Sequence, residues 1–189
     1  MNIFFLDESP LVAARDQHNK HVVKMVLESA QLLSSVHHML PSMVDKTRLY
    51  KLTHKNHPMA VWARKCPGNY HWLAQHAMYL CFEYTQRYRK VHASQNLIGY
   101  LNTNSDYMWK DNPPNEELMN FNGFWVTQPP LCMPDKYKVL GDCVASYRAY
   151  YKAEKVGFAK WRNITPPNWL AHENSIMLEK GNWIIIDGL

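Results

Sequence analysis

At 189 residues with 47% hydrophobic and 20% charged side chains, the chain is long enough for one domain with a real core and short for two. A formal charge of +5 and a pI near 9.0 suit a nucleic-acid partner without requiring one. No run approaches the ~18 apolar residues of a membrane span, and the N-terminus lacks the basic-then-apolar pattern of a signal peptide, so a cytoplasmic protein that avoids the membrane is expected.

Asn2 to Leu6 is a short β-prone run, followed by Ser9 as a helix cap and Pro10 at the first helical position, with a short helix expected through Arg15. Val22, Val26, Ala30 and Leu33 then repeat at helical spacing, which predicts a central helix from about Asn19 to Val36, ended by Pro41. On a neighbouring face His21, Lys24, Glu28 and Gln31 fall at i, i+3, i+7 and i+10, one polar line along the axis. Charge on a helix this hydrophobic marks either a structural network or a site.

After a stretch without clear periodicity, Pro58 opens a helix to Lys65, and Pro67-Gly68 reads as a turn with Asn69 capping the next helix. Leu73, Ala77, Leu80, Tyr84 and Tyr88 predict the longest helix, about 70–91, whose other side carries His76, Glu83, Arg87 and Lys90. Ser94 caps a shorter helix through about Leu101. Residues 102–134 read as a long surface loop pinned by its aromatics, and Asp142 to about Lys155 as the last major helix. The run Trp183 to Ile186 could pair with the N-terminal strand. The fold class is therefore mainly α: one compact helical domain, with a small sheet from the two termini.

Two clusters could carry chemistry or binding besides the Glu28 line. His54, Lys55, Asn56 and His57 stand at the entry to the Pro58 helix, whose free N–H groups and positive end suit a phosphate; the alternative is a plain Asn cap. Trp62, Arg64, Asn69, Tyr70 and Trp72 interleave aromatic with basic or amide groups, a mixture that stacks on a splayed nucleotide or covers a core edge. The pairs His18/His21 and His54/His57 invite a metal, but no Cys or Asp sits at companion spacing, and no metal or cofactor is expected. The four cysteines form no C-x-x-C pair and read as reduced thiols. Phosphate loops, nucleophile elbows and dinucleotide fingerprints are missing from the sequence, which sets nucleotide-hydrolysing and redox classes back.

The segments Asn2-Ile3-Phe4, Lys20 to Gln31, Thr53 to Pro58, Trp62, Asn69 to Leu73, Glu83-Tyr84, Arg87-Tyr88 and Met133 to Tyr137 resemble a family of small proteins common in tailed-phage genomes, over residues 1–169 with 170–189 as an extension. That likeness identifies a family and carries almost no function. A second similarity is to the pyrimidine-dimer DNA glycosylases of the phage endonuclease V type, which are small, basic, helical and metal-free. It implies an amine nucleophile, the chain's own α-amine at Met1, and a glutamate early on a central helix, which falls at Glu28.

This sequence departs from those enzymes at Asn2, too large for ordinary removal of Met1, so Met1 itself or a lysine such as Lys24 would serve, unless the chemistry differs. On this reading Glu28, His21, Lys24 and Met1 are catalytic, and Lys20, His54, Lys55, Asn56, His57, Trp62, Arg64, Asn69, Tyr70, Trp72, Glu83 and Arg87 bind DNA or a nucleotide. The function expected is a base-excising glycosylase/lyase. A phage DNA- or nucleotide-modifying transferase and a non-catalytic binder of a nucleotide or host protein are the alternatives. His21, Glu28, His57 and Glu83 or Arg87 are expected to share one concave surface.

Overall fold

A computed structural model describes residues 1–105, 119–121, 124–170, 175–177 and 183–185. The chain is mainly helical. It runs α1 (Pro10–Asp16), α2 (Asn19–Met39), α3 (Pro58–Ala63), α4 (Pro67–Tyr88) and α5 (Gln95–Thr103), then a hairpin of β1 (Met119–Phe121) and β2 (Phe124–Val126), then α6 (Cys143–Glu154) and a second hairpin of β3 (Ser175–Met177) and β4 (Trp183–Ile185). Among the described residues no helix is long and apolar enough to cross a membrane.

Helix α2 is central, as its stripe requires: Val22, Met25, Val26, Ala30, Leu32, Leu33 and Val36 are all buried, and the helix packs against α3, α4 and α5. It ends at Met39 because Leu40, preceding Pro41, adopts extended angles. Ser9 accepts from the Val12 N–H with Pro10 at the first position of α1, as the sequence predicts, and Asp142, expected as the first residue of α6, instead caps it by accepting from the Ala145 N–H at 2.8 Å.

Three local expectations need correction. First, Asn2 to Leu6 is not a strand. Ile3, Phe4, Phe5 and Leu6 are buried in succession but pair with no strand, and Phe4 takes a left-handed φ of 49°, which breaks an extended run. Such a φ costs roughly 1–2 kcal/mol in a non-glycine residue. The Asn2 side chain, which accepts from the Phe4 N–H at 3.0 Å, and the stacking of Phe4 on His21 with 4.1 Å between centroids hold it there. The C-terminal run pairs instead within its own hairpin, Ser175 opposite Ile185.

Second, Pro67-Gly68 does not end a helix but begins one, Pro67 at its first position and Cys66 as its cap residue. Glycine is needed at 68 for space: a Cβ there would lie 1.9 Å from the carbonyl oxygen of Trp125, where β2 crosses α4. Third, α3 is capped by His57, whose Nδ1 accepts from the Met59 N–H at 3.1 Å, rather than by Asn56. Within the stretch read as a loop, 102–134, α5 runs on to Thr103, β1 and β2 form a hairpin, and Val126 and Thr127 reach the core; residues 106–118 lie outside the described residues.

Candidate functional site

The polar line of α2 divides into two environments. At its N-terminal end His21 is locked in an aromatic cage: it stacks on Phe4, lies 4.0 Å from the His18 ring, and shares a 3.0 Å hydrogen bond between Nδ1 and the Tyr151 hydroxyl. Burial first, and the neighbouring His18, Lys155 and Lys24 charges next, pull its pKa down to about 2. His21 is thus a neutral ring that orders the N-terminal segment.

Two turns further on, roughly 10 Å along the axis, Glu28 faces the chain's beginning. The backbone N–H of Asn2 donates to Glu28 Oε2 at 3.1 Å, and Lys24 Nζ sits 3.1 Å from Glu28 Oε1. The Asn2 side chain donates to the Cys132 carbonyl at 3.2 Å, so the segment before α6 closes this corner from the other side. The Lys24 ammonium is largely exposed and the Glu28 carboxylate is mostly covered. One carboxylate therefore has an amine on one oxygen and the second residue of the chain on the other.

His57 joins this corner electrostatically. Its pKa is lowered chiefly by burial, then by the positive charges of the N-terminal amine and His54, while the Glu28 carboxylate pulls the other way. With Nδ1 committed as the acceptor of the α3 cap, the neutral ring carries its proton on Nε2 and can only donate there. Cys132 senses the same amine: burial raises its thiol, and the N-terminal charge and Lys138 oppose the rise. Sequence reasoning singles out Cys132 only as a reduced thiol, and no local spacing signals its place beside Met1.

An open groove of about 720 Å³ adjoins His57, lined by Asn56, Pro58, Trp62, Lys65, Thr127 and Pro130 among others. Around its entrance His54, Lys55 and Asn56 are exposed, and Arg64 is held by donating to the Lys55 carbonyl at 2.6 Å. Trp62 contributes an edge only, since it is 4% exposed and its indole N–H is bound to the Thr127 carbonyl at 2.9 Å. Lys20 lies away on the aromatic side, over the Phe158 ring at 5.1 Å.

The remaining candidate residues are buried and bonded inward. Asn69 donates to the Trp62 carbonyl and the Thr127 hydroxyl and accepts from the Thr127 N–H, stitching α3, α4 and the strand exit together. The Tyr70 hydroxyl donates to the Leu101 carbonyl at 3.1 Å and meets His37 Nε2 at 2.7 Å. Trp72 donates to the Glu8 carbonyl and stacks on Phe5 and His76. Arg87 is fully buried, bonded to Glu83 and to the carbonyls of Arg15 and Gln17, so that the Glu83–Arg87 pair braces the α1–α2 junction.

Glu28 thus meets Lys24 and the Asn2 backbone directly and His57 only through charge, while Glu83 and Arg87 bond to each other and the His21 ring to Tyr151. The two His-x-x-His pairs likewise stand apart, one at the aromatic cage and one at the start of α3, and no three potential metal ligands gather among the described residues. Comparison with protein-family models, curated proteins and solved structures gives no match.

Proposed function

We propose that the protein acts on DNA as a base-excising glycosylase/lyase in which an amine beside Glu28 is the nucleophile, the Met1 α-amine first and Lys24 second. The observation that carries the reading is the pairing of Glu28 with Lys24 Nζ through one oxygen and with the Asn2 N–H through the other, each at 3.1 Å. A carboxylate so placed can stabilise a cationic intermediate and move protons at the carbon an amine has attacked. An α-amine is the better candidate in general, since it titrates roughly 2.5 units below a lysine and keeps a larger neutral fraction near pH 7.

In the reaction the unprotonated amine forms a bond to C1′ of a deoxyribose while the glycosidic C–N bond breaks, its electron pair leaving with the base; the Glu28 carboxylate stabilises the cationic sugar at this step and passes the proton lost by the amine to the departing base. Opening of the sugar ring gives an iminium. Glu28, in its carboxylate form, removes a C2′ proton, and the 3′ phosphate leaves with the C–O electron pair. The groove beside His57 offers room for an unstacked nucleotide, with His54, Lys55 and Arg64 near its phosphates. The His57 Nε2–H supplies a donor that needs no proton from solvent.

Borohydride added during incubation with duplexes carrying damaged or modified pyrimidines is expected to trap a covalent protein–DNA adduct, mapped by peptide analysis to Met1 or Lys24. Glu28→Gln keeps DNA binding, whose affinity falls steeply with salt, and loses the adduct. Absence of any adduct across such substrates, with Glu28→Gln indistinguishable from the parent in binding and turnover, retires the reading in favour of a transferase or a binder.

A further inference from the structure

A second concavity, of about 510 Å³, lies between the C-terminal end of α1, helix α6 and residues 164–169. The Glu28 corner is nine helical residues beyond the start of α2, roughly 13 Å along the axis, and the two share no lining residue. At its base is Asp16, 2% exposed. Asp16 Oδ2 accepts from the Trp169 indole N–H at 2.6 Å, and the Asp16 carbonyl accepts from the Trp161 indole at 3.2 Å. Oδ1 has no hydrogen-bond partner, the nearest cation being Arg15 Nε at 3.5 Å. A buried carboxylate oxygen held only by a 3.5 Å ion pair to an exposed arginine costs free energy that a bound N–H would recover.

Two guanidinium groups flank it. Arg15 is more than half exposed. Arg148 donates through Nε to the Leu6 carbonyl and through Nη2 to Asp7, lies 5.3 Å over the Trp169 ring, and has Nη1 uncommitted among the described residues. The other walls are flat or apolar: Trp169, Pro166, Pro167, Ile164 and Val12.

The cavity thus presents an acceptor at its base, cations at its sides and a surface for a planar ring. We infer that this cavity binds a nucleoside monophosphate, its phosphate on Arg15 and Arg148, a base N–H on Asp16 Oδ1 and its ring along Trp169 and the two prolines. Inorganic phosphate would use only the guanidinium groups. An amino-acid zwitterion would satisfy both charges but fill a small part of the volume and leave the ring wall uncovered.

Calorimetric titration of the full chain with the four common nucleoside monophosphates tests this, with inorganic phosphate, guanosine and glycine as the phosphate-only, base-only and zwitterion arms. At least one nucleotide is expected to bind with a Kd below about 1 mM and at least tenfold tighter than any of the three. Arg15→Gln, at an exposed position, is expected to weaken the nucleotide about tenfold and leave guanosine unchanged. Asp16→Asn, which turns the acceptor into a donor, is expected to weaken nucleotide and guanosine alike by tenfold or more while phosphate is unaffected. If Asp16→Asn does not fold, Arg15→Gln decides alone. Binding of phosphate or glycine as tight as any nucleotide, or no binding, or binding indifferent to Arg15→Gln, overturns the inference.

Discussion

Two ion pairs of this protein are written almost identically in the sequence, an acid and a base four residues apart on a long helix. Lys24–Glu28 on α2 and Glu83–Arg87 on α4 nevertheless end in opposite conditions. Lys24 keeps most of its side chain in water, and Glu28 spends its second oxygen on the backbone of Asn2. Arg87 has no exposed surface, and its guanidinium is bonded to a carboxylate and two main-chain carbonyls. The first pair is the exposed kind worth ~0–1 kcal/mol. In the second, each charge depends on the other and on carbonyls from the α1–α2 junction, so removing one partner strands a buried charge. Identical spacing fixes which side chains meet; the surroundings fix whether the meeting is structural support or chemistry.

Acid should break the buried region most severely. Burial, above all, holds His76 at about 3, His37 at about 4 and His18 at about 4, the last with help from Lys20, Arg87 and Lys155. Because the unfolded chain takes up these protons near pH 6.5 and the folded chain does not, the stability they hold is complete above about 6.5. It is lost as pH falls towards 4, by up to roughly 1.4 kcal/mol per unit for each histidine. Urea midpoints measured from pH 7.5 to 4.5 should fall along that slope. A flat profile would show that the histidines are not buried neutral.

Next in size, Arg87→Met should destabilise by about 3–5 kcal/mol in denaturant titration, because Glu83 is left buried without its cation. Gly68→Ala should cost about 1–3 kcal/mol, since the new methyl must push β2 off α4 or displace the helix start. Smallest is Glu28→Gln, which should shift stability by no more than about 1 kcal/mol: an amide oxygen still accepts from Asn2, and only the exposed pair with Lys24 is lost. A large loss there would place Glu28 with Glu83 as a structural acid and remove the contrast between the two pairs.

The sequence makes the helices legible where apolar spacing or a cap and proline signal marks them, as in α1, α2 and α6, and it marks Glu28 as unusual by its place on a polar line beside the long apolar stripe of α2. It does not distinguish Glu28 from Glu83, because the difference lies in carbonyls contributed from residues 15 and 17. Four consecutive buried residues at 3–6 read as a strand because β-prone side chains serve equally well in an irregular segment threaded through a core. The Pro-Gly at 67–68 reads as a turn because the crossing strand that requires glycine there comes nearly 60 residues later. Asp16, with Arg148 and Trp169, has no local pattern at all. Long-range neighbours are the common element in these misses.

The N-terminal arm is fastened late. Asn2 is tied to the Cys132 carbonyl across 130 residues, and Leu6 and Asp7 to Arg148 across 142 and 141. During synthesis on a ribosome those anchors do not exist until most of the chain has been made, so a nascent chain carrying all of α2 holds its beginning only through the contacts of Asn2 with Glu28, of Ile3 with Gln17 and of Phe4 with His21. The corner around Glu28 is therefore closed from its second side only once the chain has passed Cys132, and the arm beyond it only once Arg148 has been made.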